Sequence, residues 1–320
     1  MTRNNADDQI NNILLVYSPR GAGTLRQAVK MAKDNQAGLT IIDVADDLDE
    51  YKGLLPANIS EHDLKKAISG QRRAVIEEQV NDLAAVMPQP AIHIGFGKPA
   101  VEIIRHAMAF GHDLVIKTAA GGTGISERLF GNTAIKLLRK CPSRVLIAKP
   151  DGPPALKRVL AAIDPMPASD RTVALNQHIL RTAAQIARME AGQLDIVHCW
   201  HLPGQSMLSF GRTKISAAEL NQMRTMAEKL HRQKLTEFVD RMQLDGPSLK
   251  LHLLNGSPVE SVLYFADRMK SDLVVIGTAD KSALAGLLMG STAESIIDKS
   301  KTSVLAVKPA GFISPITPGH

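Results

Sequence analysis

The segment "GSPVESVLYFADRMKSDLVVIG", Gly256–Gly277, decides how this chain of 320 residues folds. It opens with Gly-x-Pro, continues through a helical run and ends on the short apolar run "DLVVI". Proline is favoured in the first helical turn, because its missing N–H breaks no hydrogen bond there. A short, continuous apolar run bounded by turn signals is typical of a buried strand. The segment therefore predicts a turn, a helix and a strand of a parallel sheet.

The same series occurs earlier in the chain. Gly97–Pro150 aligns without a gap with Gly256–Pro309, at a constant offset of 159 residues. The matched features are Gly-x-Pro, "DLV", Gly131 with Gly290, Thr133-Ala134 with Thr292-Ala293, and the final "KP". The sequence therefore predicts an internal duplication with "KPDGPPALK" as a Pro/Gly-rich linker. We place domain 1 at residues 1–152, domain 2 at 153–312 and a tail at 313–320.

Each half contains five short apolar runs that alternate with helical stretches. The runs are Ile13–Tyr17, Leu39–Val44, Ala91–Phe96, Asp113–Lys117 and Arg144–Ala148, then Arg158–Ile163, Gln193–His198, Leu249–Leu254, Asp272–Ile276 and Ser303–Val307. In the first half, helices are predicted from about Thr24, near 61–86, after Pro99 and near 132–140. Continuous rather than alternating runs favour parallel sheets covered by helices on both faces, so the fold class is α/β.

Composition narrows the classes of partner. No run of eighteen uncharged apolar residues occurs and the first residues are polar, so we expect a cytoplasmic protein without a membrane segment. Each half holds 19 Lys/Arg and 16 Asp/Glu, a net charge of +3, and aromatic residues are 3% of the chain. Nucleic acid is therefore not a predicted partner. Cys141 and Cys199 cannot form a disulfide framework, and both are expected to be buried thiols.

Two sites for an anion are predicted where the strands end. An open parallel sheet binds ligands beyond the carboxyl ends of its strands, where the strand order reverses. A glycine loop that leads into a helix N-terminus directs backbone N–H groups and the positive end of the helix dipole at such a ligand. The competing interpretation needs no ligand, because Ser291 and Thr292 are good capping residues in any protein.

These residues resemble the universal stress protein family, specifically its tandem two-domain members and most closely its E type. The motifs that carry the resemblance are the duplicated "G-x-P…DLV…G…G-[NS]-T-A…V-x-x-KP" series, "GHDLVIK" and "LLRKCPS". The resemblance covers nearly the whole chain. It implies two tandem five-stranded parallel-sheet domains of the flavodoxin-like or adenine-nucleotide alpha-hydrolase-like kind, packed as an internal pseudo-dimer. It also implies a role in stress response, including tolerance of DNA damage, oxidants or starvation.

The resemblance also assigns candidate nucleotide-site residues by position. Nucleotide-binding members carry Gly-x2-Gly-x9-Gly-[Ser/Thr] after the fourth strand, and an aspartate after the first strand contacts adenine. The first-half positions are Ser18, Val44, Thr118, Gly121, Gly131, Asn132 and Thr133. The second-half positions are Asp164, Cys199, Gly277, Asp280, Gly290, Ser291 and Thr292. Each half keeps the spacing but has lost one loop glycine, which Thr118 replaces in the first half and Asp280 in the second. Ser18 replaces the first-half aspartate.

Charge separates the two candidate sites. A carboxylate of Asp280 at roughly 4 Å from a phosphate would cost about 4 kcal/mol at an effective dielectric of 20, which is about three decades of affinity. A Mg²⁺ ion that bridges Asp280 to the phosphate would relieve that repulsion. We therefore predict weak ATP or AMP binding at most, with the phosphate at the first loop and an adenine-like or other flat ligand in the second pocket.

Three other interpretations stay open. A kinase or ATPase would need a lysine on the phosphates, and "GGTGIS" has none, so only slow ATP hydrolysis would accompany binding. A protein-interaction module is suggested by the long loops at 45–63 and 201–216, and an apolar ligand could lie under the loop at 201–215.

"HCWH" at 198–201, together with His252, raises the question of a zinc site. His198 and His252 would face the same side of the sheet. His198 and Cys199 point to opposite faces of a strand, however, so zinc is not a predicted cofactor. Pairing of the edge strands "VLIA" and "VLAV" would join either the two halves of one chain or two chains as a homodimer.

Overall fold

The structure is a computed structural model of the whole chain. It describes residues 9–48, 60–81, 89–119, 131–166, 169–202, 215–244, 248–278 and 289–317.

The described residues form strands and helices that alternate along the chain. The first half contains β1 (Asn12–Val16), α1 (Ala22–Asn35), β2 (Gly38–Ala45), α2 (Glu61–Asn81), β3 (Ala91–Phe96), α3 (Pro99–Ala109), β4 (Leu114–Thr118), α4 (Asn132–Lys140) and β5 (Arg144–Ala148). The second half contains β6 (Arg158–Ala162), α5 (Asp170–Met189), β7 (Gln193–Trp200), α6 (Ala217–Met242), β8 (Ser248–Asn255), α7 (Pro258–Arg268), β9 (Leu273–Gly277), α8 (Ser291–Lys299) and β10 (Ser303–Val307).

All ten strands form one sheet in the order β3-β2-β1-β4-β5-β10-β9-β6-β7-β8. Within each half the strands are parallel, and their order reverses between the first and fourth strands. Flavodoxin orders its strands 2-1-3-4-5, so the kinship with that architecture lies in the layers and not in the strand order. The halves join where β5 and β10 pair antiparallel, with Leu146 opposite Leu305. The predicted internal pairing through these edge strands is confirmed.

The repeated motifs have conformational reasons. Gly97 and Gly256, which open the two Gly-x-Pro turns, have φ angles of 129° and 144°, where a side chain is strained. Asp113, the aspartate of the first "DLV", accepts a hydrogen bond from the backbone N of Asn11 (2.7 Å), and Asp272 accepts one from the backbone N of Arg158 (2.8 Å). Each "DLV" aspartate therefore fixes the start of the first strand in its own half.

Two hydrophobic cores cover the sheet, one on each face. The first lies under α1, α2, α5 and α6 and includes Leu146 of β5 and Leu305 of β10. The second lies under α3, α4, α7 and α8 and includes Val145 and Val304 of the same two strands. Both cores therefore continue across the junction of the two halves, and each half is stabilised partly by burying apolar surface of the other.

Polar contacts also cross the junction, on both faces of the sheet. Lys30 of α1 pairs with Glu190 at 2.7 Å, and the Gln185 amide donates to Asn35 Oδ1 at 3.0 Å. Arg139 of α4 pairs with Glu294 of α8. Of the helices in the described residues, none is long and apolar enough to cross a membrane.

Candidate functional site

The first candidate site lies where β1 and β4 end side by side. Val16 of β1 is opposite Lys117 of β4, and the backbone N of Tyr17 donates to Ile42 O of β2 at 2.8 Å. Ser18 therefore follows β1 at the level of Val44 on β2. Since the strand order reverses between β1 and β4, this edge is where an open α/β sheet normally presents a ligand.

A tight turn brings Ser18, Gly21 and Thr118 together. The backbone N of Gly21 donates to Ser18 O at 2.8 Å, and α1 begins directly after this turn. A Cβ atom at Gly21 would lie 2.7 Å from Thr118 Oγ1 and 3.0 Å from Ser18 O. Thr118 is 3% exposed, so the side chain that replaces the family glycine here fills the space beside Gly21. The close approach could not be read from the sequence, although "PRGAG" signals a turn.

Lys117 places a positive charge beside the first loop. Its Nζ donates to Thr118 O at 3.3 Å, and burial lowers the pKa of this lysine. At the offset of 159 residues its counterpart is Ile276, which is buried. The first site therefore has a cation where the second site has an apolar side chain, a difference that the sequence analysis missed although the alignment contained it.

Both loops end at helices that begin on glycine. Gly131 precedes α4 with φ −66°, Gly290 precedes α8 with φ −60°, and neither helix has a side-chain cap. The expectation that Ser291 or Thr292 caps α8 is wrong, because Gly290 holds the N-cap position and α8 begins at Ser291. Glycine has no side chain, so the N-cap residues of α4 and α8 provide no side-chain cap for the first-turn N–H groups. Neither glycine is required by its φ angle.

In the second half, Asp164 is held by α5. The Asn176 amide donates to Asp164 O at 2.5 Å and accepts from Asp164 N at 3.4 Å, and Asn176 is buried. The Asp164 carboxylate accepts from the backbone N of Met166 at 3.1 Å. The residue predicted to contact adenine is thus fixed at the end of β6 by a buried amide, which no sequence signal identified.

Gly277 is a glycine for a packing reason. A Cβ atom there would lie 2.7 Å from Leu175 Cδ2 and 3.0 Å from Ile179 Cδ1, both on α5. The following residue, Thr278, is buried and both its N and Oγ1 donate to Val307 O. Gly290 N in turn donates to Thr278 O at 3.3 Å. The first glycine of the second loop is therefore explained by helix packing without a nucleotide.

Two histidines form a hydrogen-bonded pair beside Asp164. His198 Nδ1 lies 3.3 Å from Ile163 O, and His198 Nε2 lies 2.8 Å from His231 Nδ1 on α6. A carbonyl only accepts, so the hydrogen bonds assign Nδ1–H to His198 and leave its Nε2 to accept from His231. Burial lowers the pKa of His231, and the opposing effect of the Asp164 charge is smaller. The His231 imidazole is therefore neutral at neutral pH.

The geometry contradicts the pairing considered for zinc. His252 is opposite Val197 and His198 is opposite Leu253, so His198 and His252 face opposite sides of the sheet. His252 Nε2 instead lies 2.7 Å from Asp195 Oδ1, and its ring packs against Phe265. The part of the chain that the structure describes holds no group of three His, Cys, Asp or Glu side chains suited to a metal.

Cys199 is an unreactive thiol. Burial raises its pKa to about 11, and a hydrogen bond with Ser261 of α7 opposes this only in part. Its side chain packs with the core on the α7 face of the sheet. Cys141 is fully buried, and burial raises its thiol pKa as well.

The predicted site residues fall into two groups at the carboxyl edges of the two halves. Ser18, Val44 and Thr118 lie at the ends of the first-half strands, and Asp164, Cys199 and Gly277 lie at the ends of the second-half strands. The helix starts hold Gly131, Asn132, Thr133, Gly290, Ser291 and Thr292. Gly121 and Asp280 lie outside the described residues.

The chain is thus a tandem pair of parallel α/β domains, each with a tight turn and a helix N-terminus at its switch point. The model of the universal stress protein family matches residues 9–149 and 155–308, and the chain belongs to this family. It is 26% identical over 255 residues to universal stress protein E of Escherichia coli K12, covering 79% of each chain. It is 25% identical over 313 residues to universal stress protein E of Photorhabdus laumondii, covering 95% of this chain and 97% of that one.

The fold also matches a solved structure. The crystal structure of a putative universal stress protein from Pseudomonas aeruginosa UCBPP-PA14 superposes with a TM-score of 0.71 at 21% identity, covering 95% of each chain. The two family matches and the E-type relatives show that the chain is a tandem universal stress protein of E type, so the expectation drawn from its duplicated motifs is confirmed.

Proposed function

We propose that this protein is a non-catalytic ligand binder of the cytoplasmic stress response, with one weak adenine-nucleotide site in its first half. The second half keeps the fold of such a site but does not hold a triphosphate. The signal that the protein passes to a protein partner is whether a nucleotide is bound, and not a reaction.

The difference in charge between the two sites carries this proposal. Lys117 lies beside the first loop with its Nζ on Thr118 O, whereas the buried side chain of Ile276 occupies the equivalent position. The second loop instead carries Asp280. A phosphate would therefore meet a cation and the N-terminus of α4, which begins after Gly131, at the first site, and a carboxylate at the second.

The chemistry of the described site residues favours binding over catalysis. A nucleophile needs an adjacent base or a lowered pKa. The pKa of Cys199 is raised to about 11. Both ring nitrogens of His198 lie within hydrogen-bonding distance of a partner, Nδ1 of Ile163 O and Nε2 of His231 Nδ1. Asp164 is hydrogen-bonded by the backbone of Met166. Slow ATP hydrolysis at the first site is the competing function.

Calorimetric titration with ATP plus Mg²⁺ and with AMP tests the proposal, alongside a phosphate-release assay on the same samples. We expect weak binding to the wild type and phosphate release no faster than in buffer. Asp280→Gly should add a second site, because removing a carboxylate at about 4 Å restores up to three decades of affinity. Phosphate release that saturates with ATP and disappears in Lys117→Met would show that the protein is an ATPase instead.

A further inference from the structure

A second cavity lies between the two halves, away from the predicted nucleotide sites. It has a volume of about 630 Å³, within the range of small-molecule sites. The first half contributes the end of α3 and the connection from α4 to β5, and the second half contributes α5 and the residues that follow β10. We call this cavity the interdomain cleft.

Positive charge dominates the interdomain cleft. Arg144, Arg181 and Lys308 line it, and among the described residues Asp113 is the acid that lines it with them. Arg144 is 4% exposed and is held in place, since its Nε donates to Asp113 O at 3.2 Å and its Nη2 to Gln9 O at 3.0 Å. Arg144 Nη2 also lies 3.7 Å from Asp113 Oδ1, so this cation has a carboxylate beside it.

Lys308 is the most constrained of these cations. It is 5% exposed, its Nζ donates to Leu138 O, and the ammonium lies 4.7 Å from the centre of the Phe312 ring. Burial lowers its pKa to about 8. An ammonium has three N–H donors, and Leu138 O takes one of them. An anion in the interdomain cleft would relieve the burial penalty.

His112 adds a buried polar group without a normal hydrogen bond. It is 4% exposed, and neither its Nδ1 nor its Nε2 has a partner of hydrogen-bonding geometry. Burial lowers the pKa of His112, and the nearby backbone of Asn12 opposes this effect in part. Buried ring nitrogens of this kind are rare in folded proteins. His112 lines the same cleft as the cations, so a ligand there would supply the missing partner.

The equivalent junction on the other side is filled by the linker. Gln27 of α1 donates to Pro153 O at 3.1 Å, and a Cβ atom at Gly23 would lie 2.5 Å from Pro150 O. Leu156 of the linker is fully buried. In the described residues, the linker therefore packs into one of the two related junctions, and the interdomain cleft lies at the other.

We propose that the interdomain cleft binds a small organic anion. Its phosphate or carboxylate group would meet Arg144, Arg181, Lys308 and His112, and its carbon part would pack against Phe312 and Met108. This site is separate from the nucleotide sites of the proposed function. Because its walls come from both halves, a bound anion also ties the halves together.

Titration of the full chain with two ring-bearing probes, phenyl phosphate and phthalate, tests the inference. We expect saturable binding of at least one probe, weakened about tenfold or more by Arg181→Gln, since a lost charge-assisted hydrogen bond has an effect of this order. Arg171→Gln is the matched control, because Arg171 is exposed on the same helix and does not line the cleft. Binding of phenyl phosphate alone identifies a phosphate ligand, and binding of phthalate alone a dicarboxylate.

A second pair of variants guards against a folding defect in the first. Lys308→Met should weaken binding of the probe. Lys149→Met, at the equivalent exposed position in the first half, should leave that binding unchanged. The unliganded melting temperature of each variant is the folding control. Gly131→Asp should still bind the probe, since Gly131 is not among the residues that line the cleft. The proposal is overturned if neither probe saturates, if Arg171→Gln weakens binding as much as Arg181→Gln, or if Gly131→Asp abolishes it.

Discussion

At the scale of single residues, the candidate sites depend on close contacts between atoms that are distant in sequence. No sequence pattern specifies such contacts. Thr118 replaces a loop glycine, and its side chain occupies the space beside Gly21. Gly21 itself has φ −103°, which any residue adopts, so only the contact explains why it is a glycine.

Gly21→Ala should therefore destabilise the protein by about 1–3 kcal/mol, the usual cost of overpacking. In the background of Thr118→Ala the cost should fall, because the 2.7 Å contact with Oγ1 is gone. Urea denaturation measures both values. Gly70→Ala is the control: nothing lies within 4 Å of its Cβ position in α2, so we expect a gain of about 0.5–1 kcal/mol. Equal effects at Gly21 and Gly70 would refute the contact.

At the scale of helices and strands, the sequence predicted most of the fold. Ala91–Phe96, Arg144–Ala148 and Ser303–Val307 begin and end as predicted, and α4 covers the predicted 132–140. The faces of the strands were harder. His198 and His252 were expected to face the same side, but a shift of one residue in the pairing of β7 with β8 puts them on opposite sides. Register depends on the packing of the whole sheet, so local patterns do not reveal it.

Helix starts offer a test of the same kind. Ser216 caps α6, accepting from Glu219 N at 3.2 Å while the Glu219 carboxylate accepts from Ser216 N at 2.8 Å. Ser216→Ala should cost about 1 kcal/mol of stability. Ser291→Ala should change stability by less than about 0.5 kcal/mol, because Gly290, and not Ser291, holds the N-cap position of α8. Thermal unfolding of both variants decides, and an equal loss in Ser291→Ala would mean that Ser291 is a cap after all.

At the scale of the whole molecule, the two halves share one sheet and both cores, so we expect them to unfold as one cooperative unit. Both cores cross the β5–β10 junction, and the sheet is continuous over ten strands. The duplicated motifs predicted two domains and their pairing edge. They could not predict the interdomain cleft, because that cavity depends on where the linker packs.

A destabilising substitution in one half should therefore also lower the stability of the other half against unfolding. Leu15→Ala, in the buried core of β1, should cost about 2–5 kcal/mol. The single tryptophan, Trp200, lies in the second half and is buried. Its fluorescence midpoint in urea should shift as far as the midpoint measured by circular dichroism. A shift in circular dichroism alone would mean that the halves unfold separately.

We propose that only the first half of the chain holds a nucleotide. Native mass spectrometry of the protein with ATP and Mg²⁺ is the sharpest test of this proposal. Gly131→Asp and Gly290→Asp form a matched pair, because both glycines have ordinary φ angles and precede equivalent helices. We expect one ATP on each wild-type chain, retained in Gly290→Asp and lost in Gly131→Asp. Two nucleotides on the wild type, none, or a loss confined to Gly290→Asp would contradict it.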